Sequence, residues 1–230
     1  NTSSVSLDQS PILRRNLCDS RYYASVDAMR TSRGCPYTCK FCYQSAFYPE
    51  RGVRHRTISH IIDEIKSMQS NHVLFLDDNL FGDKCFAKKL FVNLIPLGIT
   101  WSSAATINIG QDTRLLQLAY ESGCRSLFIG FESISQANLR ENTKFQNTAE
   151  FYDQMAENIH RQGIMINGSF IFGMDHDTPD VFEKTVEWIV KHRIETATFH
   201  VLTPYPGTRL FDELEQAGRI IDYNWDHYNT

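Results

Sequence analysis

The chain has 230 residues, 42% hydrophobic and 22% charged, with 23 Lys and Arg against 27 Asp and Glu for a formal net charge of −4. That length suits one domain with a sizeable core, and the charge gives no electrostatic case for a nucleic-acid partner or a membrane surface. No apolar run reaches a membrane span and no signal-peptide pattern opens the chain, while six cysteines, three of them bunched, argue for a reducing, cytoplasmic setting rather than a disulfide framework.

Residues 1–25 carry Ser, Asn, Asp and Pro11 without clear periodicity and read as a linker or wrapping segment. A strand-then-helix rhythm begins at Val26. Residues 26–32 read as a first strand, followed by a cysteine loop and a basic stretch, residues 51–56. A helix opening near Thr57 or Ser59 places Ile58, Ile61, Ile62 and Ile65 at i, i+3, i+4 and i+7. Residues 73–76 form a short, continuously apolar strand of the kind buried in parallel sheets. Asp83 caps a second helix, with Phe86, Leu90, Phe91 and Leu94 on its inner side. Residues 99–105 make a third strand, and Asp112 caps a helix with Leu115, Leu118 and Ala119 that Gly123 ends. After a fourth strand, residues 126–131, a long polar connection leads to a helix bearing Phe151, Met155 and Ile159, stopped by Gly163. Residues 164–172 are the fifth strand, and Thr178 with Pro179 opens a helix carrying Phe182, Val186, Ile189 and Val190. Residues 196–202 are the sixth strand, before a last helix around Leu210, Phe211 and Leu214 that ends at Gly218.

Six such units predict an α/β fold: a partial (β/α)6 TIM-like barrel of parallel strands with outer helices. Its core spans residues 26–218, and residues 219–230 begin a C-terminal extension. The aromatic-rich stretch 223–228 needs further protein to cover it, and the first residue is Asn1, so the chain reads as a piece of something larger. In such sheets ligands collect at the carboxyl ends of the strands.

Residues 33–42, Arg-Gly-Cys-Pro-Tyr-Thr-Cys-Lys-Phe-Cys, hold Cys35, Cys39 and Cys42 in one loop after a strand. Three thiolates there can occupy three corners of a cubane iron–sulfur cluster and leave one metal open. A structural zinc or a four-ligand cluster needs a fourth donor, and His55 and His60 lie downstream. Inert buried thiols are the other alternative. Cys18, Cys85 and Cys124 are scattered singly and read as small core or surface residues.

This ten-residue stretch resembles the signature of radical S-adenosylmethionine (radical SAM) enzymes. The resemblance implies a [4Fe-4S] cluster on Cys35, Cys39 and Cys42 whose fourth iron takes the methionine end of SAM. It also implies a reaction: an electron from the cluster breaks the S–C5′ bond, and the 5′-deoxyadenosyl radical removes a substrate hydrogen. Phe41 would then pack beside the adenine. Asp77-Asp78-Asn79, after the second strand, is similar to the motif that binds the SAM amino group, for which carboxylates are strong acceptors. Glu132 and Ser133 follow the fourth strand, where the family contacts the ribose hydroxyls or the methionine moiety; a carboxylate can accept both protons of a diol. The stretch 168–173 resembles the glycine-flanked strand beside the adenine, with Gly168 permitting close approach and Phe170 within it. Asp175-His176-Asp177 reads as an N-cap rather than a metal cluster. His200 faces the barrel interior or sits as a core histidine. Arg51, Arg54 and Arg56 bracket the cluster or an anionic substrate, or form a solvated basic loop.

The combination of residues 77–79, 122–133 and 202–208 looks most like the branch with an N-terminal cobalamin-binding domain. That branch includes hopanoid methylases and the anaerobic Mg-protoporphyrin cyclase. No such domain precedes residue 1 here, so cobalamin is expected only in a full-length parent. The reaction implied is methylation or cyclisation at an unactivated carbon of a small-molecule substrate, with an external electron donor and no nucleic acid. Two alternatives stand beside it: a methylthiotransferase-like enzyme, which needs a second cysteine trio, and a non-enzymatic iron–sulfur or zinc module. No side chain stands out as a catalytic acid or base.

Overall fold

The computed structural model, which describes residues 6–17, 19–22, 27–47 and 52–228, lays six strands side by side in the order in which the chain makes them. Along the chain the elements are β1 (Ala28–Met29), β2 (Ser32–Arg33), α1 (Tyr43–Phe47), β3 (Arg54–His55), α2 (Ile58–Lys66), β4 (His72–Phe75), α3 (Lys84–Leu94) and β5 (Thr100–Ala105). Then come α4 (Thr113–Glu121), β6 (Cys124–Glu132), α5 (Gln136–Glu141), α6 (Tyr152–Arg161), β7 (Met165–Phe172), α7 (Val181–Lys191), β8 (Thr196–Val201) and α8 (Arg209–Gln216). The sheet runs β1-β4-β5-β6-β7-β8 with each pair parallel, and β2 and β3 form a separate antiparallel ribbon. Parallel neighbours need a crossover, and the crossovers here carry helices, which gives the expected α/β, (β/α)6 arrangement.

Strand alternation divides the sheet into two faces. On one, Val73, Phe75, Trp101, Leu127, Ile129 and Ile166 are buried with Leu90, Phe91, Leu115, Ala119, Met155 and Ile159 of the helices. Trp101 anchors this core: it stacks on Phe91 at 5.1 Å, and its Nε1–H donates to the Ser122 carbonyl at 3.1 Å. The other face carries Leu74, Ser102, Ala104, Ser126, Phe128 and Asn167 and lines a cavity of about 690 Å³. The expected caps hold the helices: Thr57 accepts from the His60 N–H, Asp83 from Cys85 and Phe86, and Asp112 from Leu115, each satisfying a donor the helix leaves free. Gly123 turns α4 into β6 with φ +106°, where a Cβ would sit 2.0 Å from the Ile99 carbonyl oxygen.

Three local expectations are corrected. The first strand is short: β1 ends at Met29, and Ser32–Arg33 leaves the sheet to pair with β3; residue 26 lies outside the described residues. Asp77 causes the break, because its carboxylate takes the Thr31 N–H and both hydroxyls of Thr31 and Ser32 and draws the chain aside. The polar connection contains α5, which buries only Asn138 and Leu139 and so shows no apolar period. On α7, Ile189 packs against the core as expected, but Phe182, Val186 and Val190 are exposed, and Thr185 and Trp188 face inward in their place. Trp188 makes the inward contact of that helix, against Phe131, Tyr152 and Phe170. No helix among the described residues is long and apolar enough to cross a membrane.

Candidate functional site

The cysteine loop follows β2 and is held by three hydrogen bonds from two other segments. The Thr143 hydroxyl donates to the Thr38 carbonyl at 2.7 Å, the Lys40 N–H to the Asn142 carbonyl at 3.1 Å, and the Leu210 N–H to the Lys40 carbonyl at 3.1 Å. The stretch after α5 and the start of α8 therefore fix the loop against the sheet. Gly34 enters it at φ +96°, where a Cβ would lie 2.4 Å from the Gly52 carbonyl oxygen. Cys39 is buried; Cys35 and Cys42 are partly so.

The three thiols sit on one loop, and one sulfur has a side-chain donor. Gln146 Nε2 donates to Cys39 Sγ at 3.5 Å. Burial pushes the Cys35 thiol up, and the Cys42 thiol up to about 11, with backbone N–H groups opposing. Such thiols become thiolates when a bound cation stabilises the charge.

The donor set fits a cubane cluster better than one ion. Three thiols on one loop are the donor set of a cubane, in which each would take a different iron, whereas a structural zinc would need a fourth donor. The histidines that a zinc site would need are engaged elsewhere. His55 Nε2 lies 3.1 Å from Asp83 and its ring stacks on Phe86, and His60 Nδ1 lies 3.2 Å from Asp8.

After β4, the acidic pair splits in role. Asp77 is 3% exposed, and its carboxylate is saturated by Thr31 and Ser32; burial raises its pKa, with those donors opposing. It shapes the entry to the cysteine loop. Asp78 accepts from the Gly34 N–H at 3.2 Å and from Gln44 Nε2, with Arg30 Nη2 at 3.9 Å, and it borders the cavity beside Cys42. Asn79 is 3% exposed, and its amide has no hydrogen-bond partner among the described residues.

At the end of β6, Glu132 adopts φ +64° and is buried with Lys144, Nζ to Oε1 at 2.6 Å. Burial alone would lower the Lys144 pKa; Glu132 and the nearby cysteines outweigh it and hold the value above the ordinary one. Gly130 makes room for the pair, since a Cβ there would meet Glu132 Oε1 at 2.3 Å and Lys144 Nζ at 3.1 Å. The Ser133 hydroxyl accepts from the Ser135 N–H and from Asn138 Nδ2. Asn138 in turn donates to Asp177, which also accepts from Gly173 and Met174. Asp177 thus closes the turn after β7 instead of capping α7, whose cap position is Asp180.

Gly168 and Phe170 do not join the cavity. Phe170 is 1% exposed on the helix side of the sheet, stacked on Phe131 at 5.3 Å, and Gly168 leaves space for that ring rather than for a ligand. Phe41 is half-buried in the cysteine loop. His200 pairs in register with Ile171, two residues along from Ser169 and four from Asn167, so it lies on the cavity face of β8, exposed. Arg56 pairs with Glu64 at 2.6 Å; Arg51 lies outside the described residues, as does Cys18. Cys85 is exposed and Cys124 buried. Sequence reasoning missed Lys144, Gln146 and Gln44. The first two lie in the polar connection without a motif, while Gln44 stands two residues past Cys42, a position that flags it for inspection.

A family model described as the radical SAM superfamily matches residues 29–189. The chain is 32% identical over 217 residues to bacteriochlorophyllide d C-12(1)-methyltransferase of Chlorobaculum tepidum, covering 92% of this chain and 47% of that protein. It is 28% identical over 225 residues to hopanoid C-2 methylase of Rhodopseudomonas palustris, covering 92% and 42%. The chain thus spans about half the length of the curated relatives it matches. The radical SAM methyltransferase TsrM from Kitasatospora setae, solved with cobalamin and a [4Fe-4S] cluster bound, superposes with a TM-score of 0.69 at 18% identity, over 83% of this chain and 39% of that one. That likeness is one of fold.

Proposed function

Because the chain belongs to the radical SAM superfamily, we propose that it is the core of an enzyme that cleaves SAM reductively and acts on an unactivated carbon of a small molecule, with cobalamin supplied in the full-length parent. Methylation is the favoured outcome and oxidative cyclisation the second, following the relatives' names. Residues 26–218 form the catalytic core, with 1–25 as linker and 219–230 as the start of an extension; the setting is cytoplasmic and the electron donor external.

Cys35, Cys39 and Cys42 hold the cluster. When bound, the cluster and SAM supply a 5′-deoxyadenosyl radical able to remove hydrogen from carbon. This chain's residues bind, orient and shield. Asp77 keeps the cysteine loop in place, and Gln146 donates to Cys39 Sγ. The observation that carries the reading is a carboxylate held beside the cysteine loop on the cavity wall. The Asp78 carboxylate accepts from the Gly34 N–H at the entry of the cysteine loop and borders the same cavity as Cys42, a complement to the amino group of a methionine moiety. The cavity of about 690 Å³ beside Cys42, lined by Leu74, Ala104 and Phe128 with Ser102, Ser126 and Asn167, supplies room for a mostly apolar substrate.

The test is anaerobic reconstitution with iron and sulfide, then dithionite and SAM, with assay of 5′-deoxyadenosine. Wild type forms it and Cys39→Ala does not. Equal yields from the two reject the assignment.

A further inference from the structure

At the end of the cavity away from the cysteine loop, an imidazole and two hydroxyls form a chain that the SAM chemistry does not use. His72 opens β4 and lies opposite Thr100 of β5, with Ser102 two residues further along on the same face. Its Nδ1 is 2.9 Å from Thr100 Oγ1 and its Nε2 2.8 Å from Ser102 Oγ. Thr100 has a single hydroxyl proton, and that proton goes to the Asn71 carbonyl at 3.3 Å. Thr100 therefore accepts from His72 Nδ1–H. In a neutral imidazole the other nitrogen carries no proton, so Nε2 takes the proton of Ser102. Ser102 is then left with lone pairs, and no proton, to offer the cavity that it lines with Leu74, Ala104, Ser126 and Phe128. It pairs with Leu74, four residues before Asp78, a span of up to roughly 13 Å at ~3.3 Å per residue. The acceptor is thus remote from the acidic pair.

We propose that Ser102 reads a hydroxyl or N–H of the substrate at this end of the cavity, with His72 as the positioning residue that fixes the direction of the Ser102 proton. This rests on the reading of the cavity as the substrate site and adds a polar end to the substrate class: an apolar body along Leu74, Ala104 and Phe128 that finishes in a hydrogen-bond donor. A carbonyl or ether in that place would meet lone pairs with no proton between them, so the site selects against it. Ser126 stands beside Ser102 in register, and its hydroxyl can donate to a substrate hydroxyl that donates to Ser102.

The experiment uses the reconstituted protein with nitrogen-15 in its histidines, at pH 8 to keep imidazoles neutral. Two-bond proton–nitrogen spectra report which nitrogen of His72 carries the proton, its signal being the one missing from His72→Phe. The proton is expected on Nδ1. A proton on Nε2 would turn the Ser102 proton toward the cavity and overturn the inference. The probes are indole, whose ring N–H only donates, and quinoline, whose ring nitrogen only accepts; saturation-transfer titrations give their affinities. Ser102→Ala is expected to weaken indole by roughly three- to tenfold, the value of one neutral hydrogen bond, and to leave quinoline unchanged. His72→Phe frees the Ser102 proton and is expected to strengthen quinoline. Indole bound equally by Ser102→Ala and wild type overturns the inference, and so does an equal loss of both probes, which marks a packing role. Should Ser102→Ala fail to fold, the position of the proton in wild type and the quinoline affinity of His72→Phe decide. Failure of the wild type to form 5′-deoxyadenosine refutes the radical SAM reading itself and is measured apart from these binding results.

Discussion

Removing the Lys144 ammonium leaves the Glu132 carboxylate buried without its counter-charge. The pair is 2.6 Å apart, with side chains only 8% and 10% exposed. Breaking such a buried pair from one side costs about 3–5 kcal/mol, because the remaining charge has lost both water and partner. Glu132 is poorly placed to relax, since its backbone is held at φ +64°. Lys144→Met is therefore expected to lose about 3–5 kcal/mol, which lowers the urea midpoint by about 1–2 M at a slope of ~2.5 kcal/mol/M. Adding Glu132→Gln removes the stranded charge and should recover a large part of the loss, so the double-mutant cycle returns a coupling of several kcal/mol. Equilibrium urea unfolding followed by circular dichroism measures all four proteins. The sign with pH is fixed by the raised Lys144 pKa: the stabilisation is complete below the ordinary lysine value of 10.5 and is lost as pH climbs above it through the folded-state value. A Lys144→Met cost under about 1 kcal/mol, or a coupling near zero, refutes the claim that this pair is buried and mutually dependent.

Asp77→Ala deprives Thr31 and Ser32 of one acceptor for three donors, so stability should drop by about 3 kcal/mol and iron uptake on reconstitution should fall; unchanged melting and iron content would contradict its anchoring role. Gly123→Ala meets the Ile99 carbonyl oxygen at 2.0 Å, whereas Gly98→Ala at φ +62° meets nothing within 4 Å. The first should lower the thermal midpoint far more than the second, whose cost is about 1 kcal/mol of backbone strain, and equal shifts would disprove the clash. Gln146→Leu removes the donor to Cys39 Sγ and should make the cluster harder to reduce, by about 40 mV for about 1 kcal/mol in a one-electron couple. Potentiometric titration monitored by electron paramagnetic resonance reads that shift.

The sheet was legible because its buried strands are apolar and its caps are local: Asp83, Asp112 and Thr57 announce their helices within three residues. The cysteine loop was legible for the same reason, being contiguous. What escaped depends on contacts across the chain. Lys144 belongs to the site through Glu132, twelve residues away, and Asp77 breaks the first strand from 46 residues away. Gly168 and Phe170 misled because strand alternation was not counted from the cavity: Asn167 faces it, so the next residue and the third one along face the helices. The α5 helix rests on the Ser133–Asn138–Asp177 network, which no periodicity encodes.

The claim on which the rest depends is that Cys35, Cys39 and Cys42 grip a four-iron cluster with one iron left for SAM. Mössbauer spectra of protein rebuilt with isotopically enriched iron, taken with and without SAM, address it directly. A single iron site that shifts on adding SAM while the others hold still is the expected result. A spectrum that SAM leaves untouched, or iron that never assembles into a four-iron cluster, would contradict it.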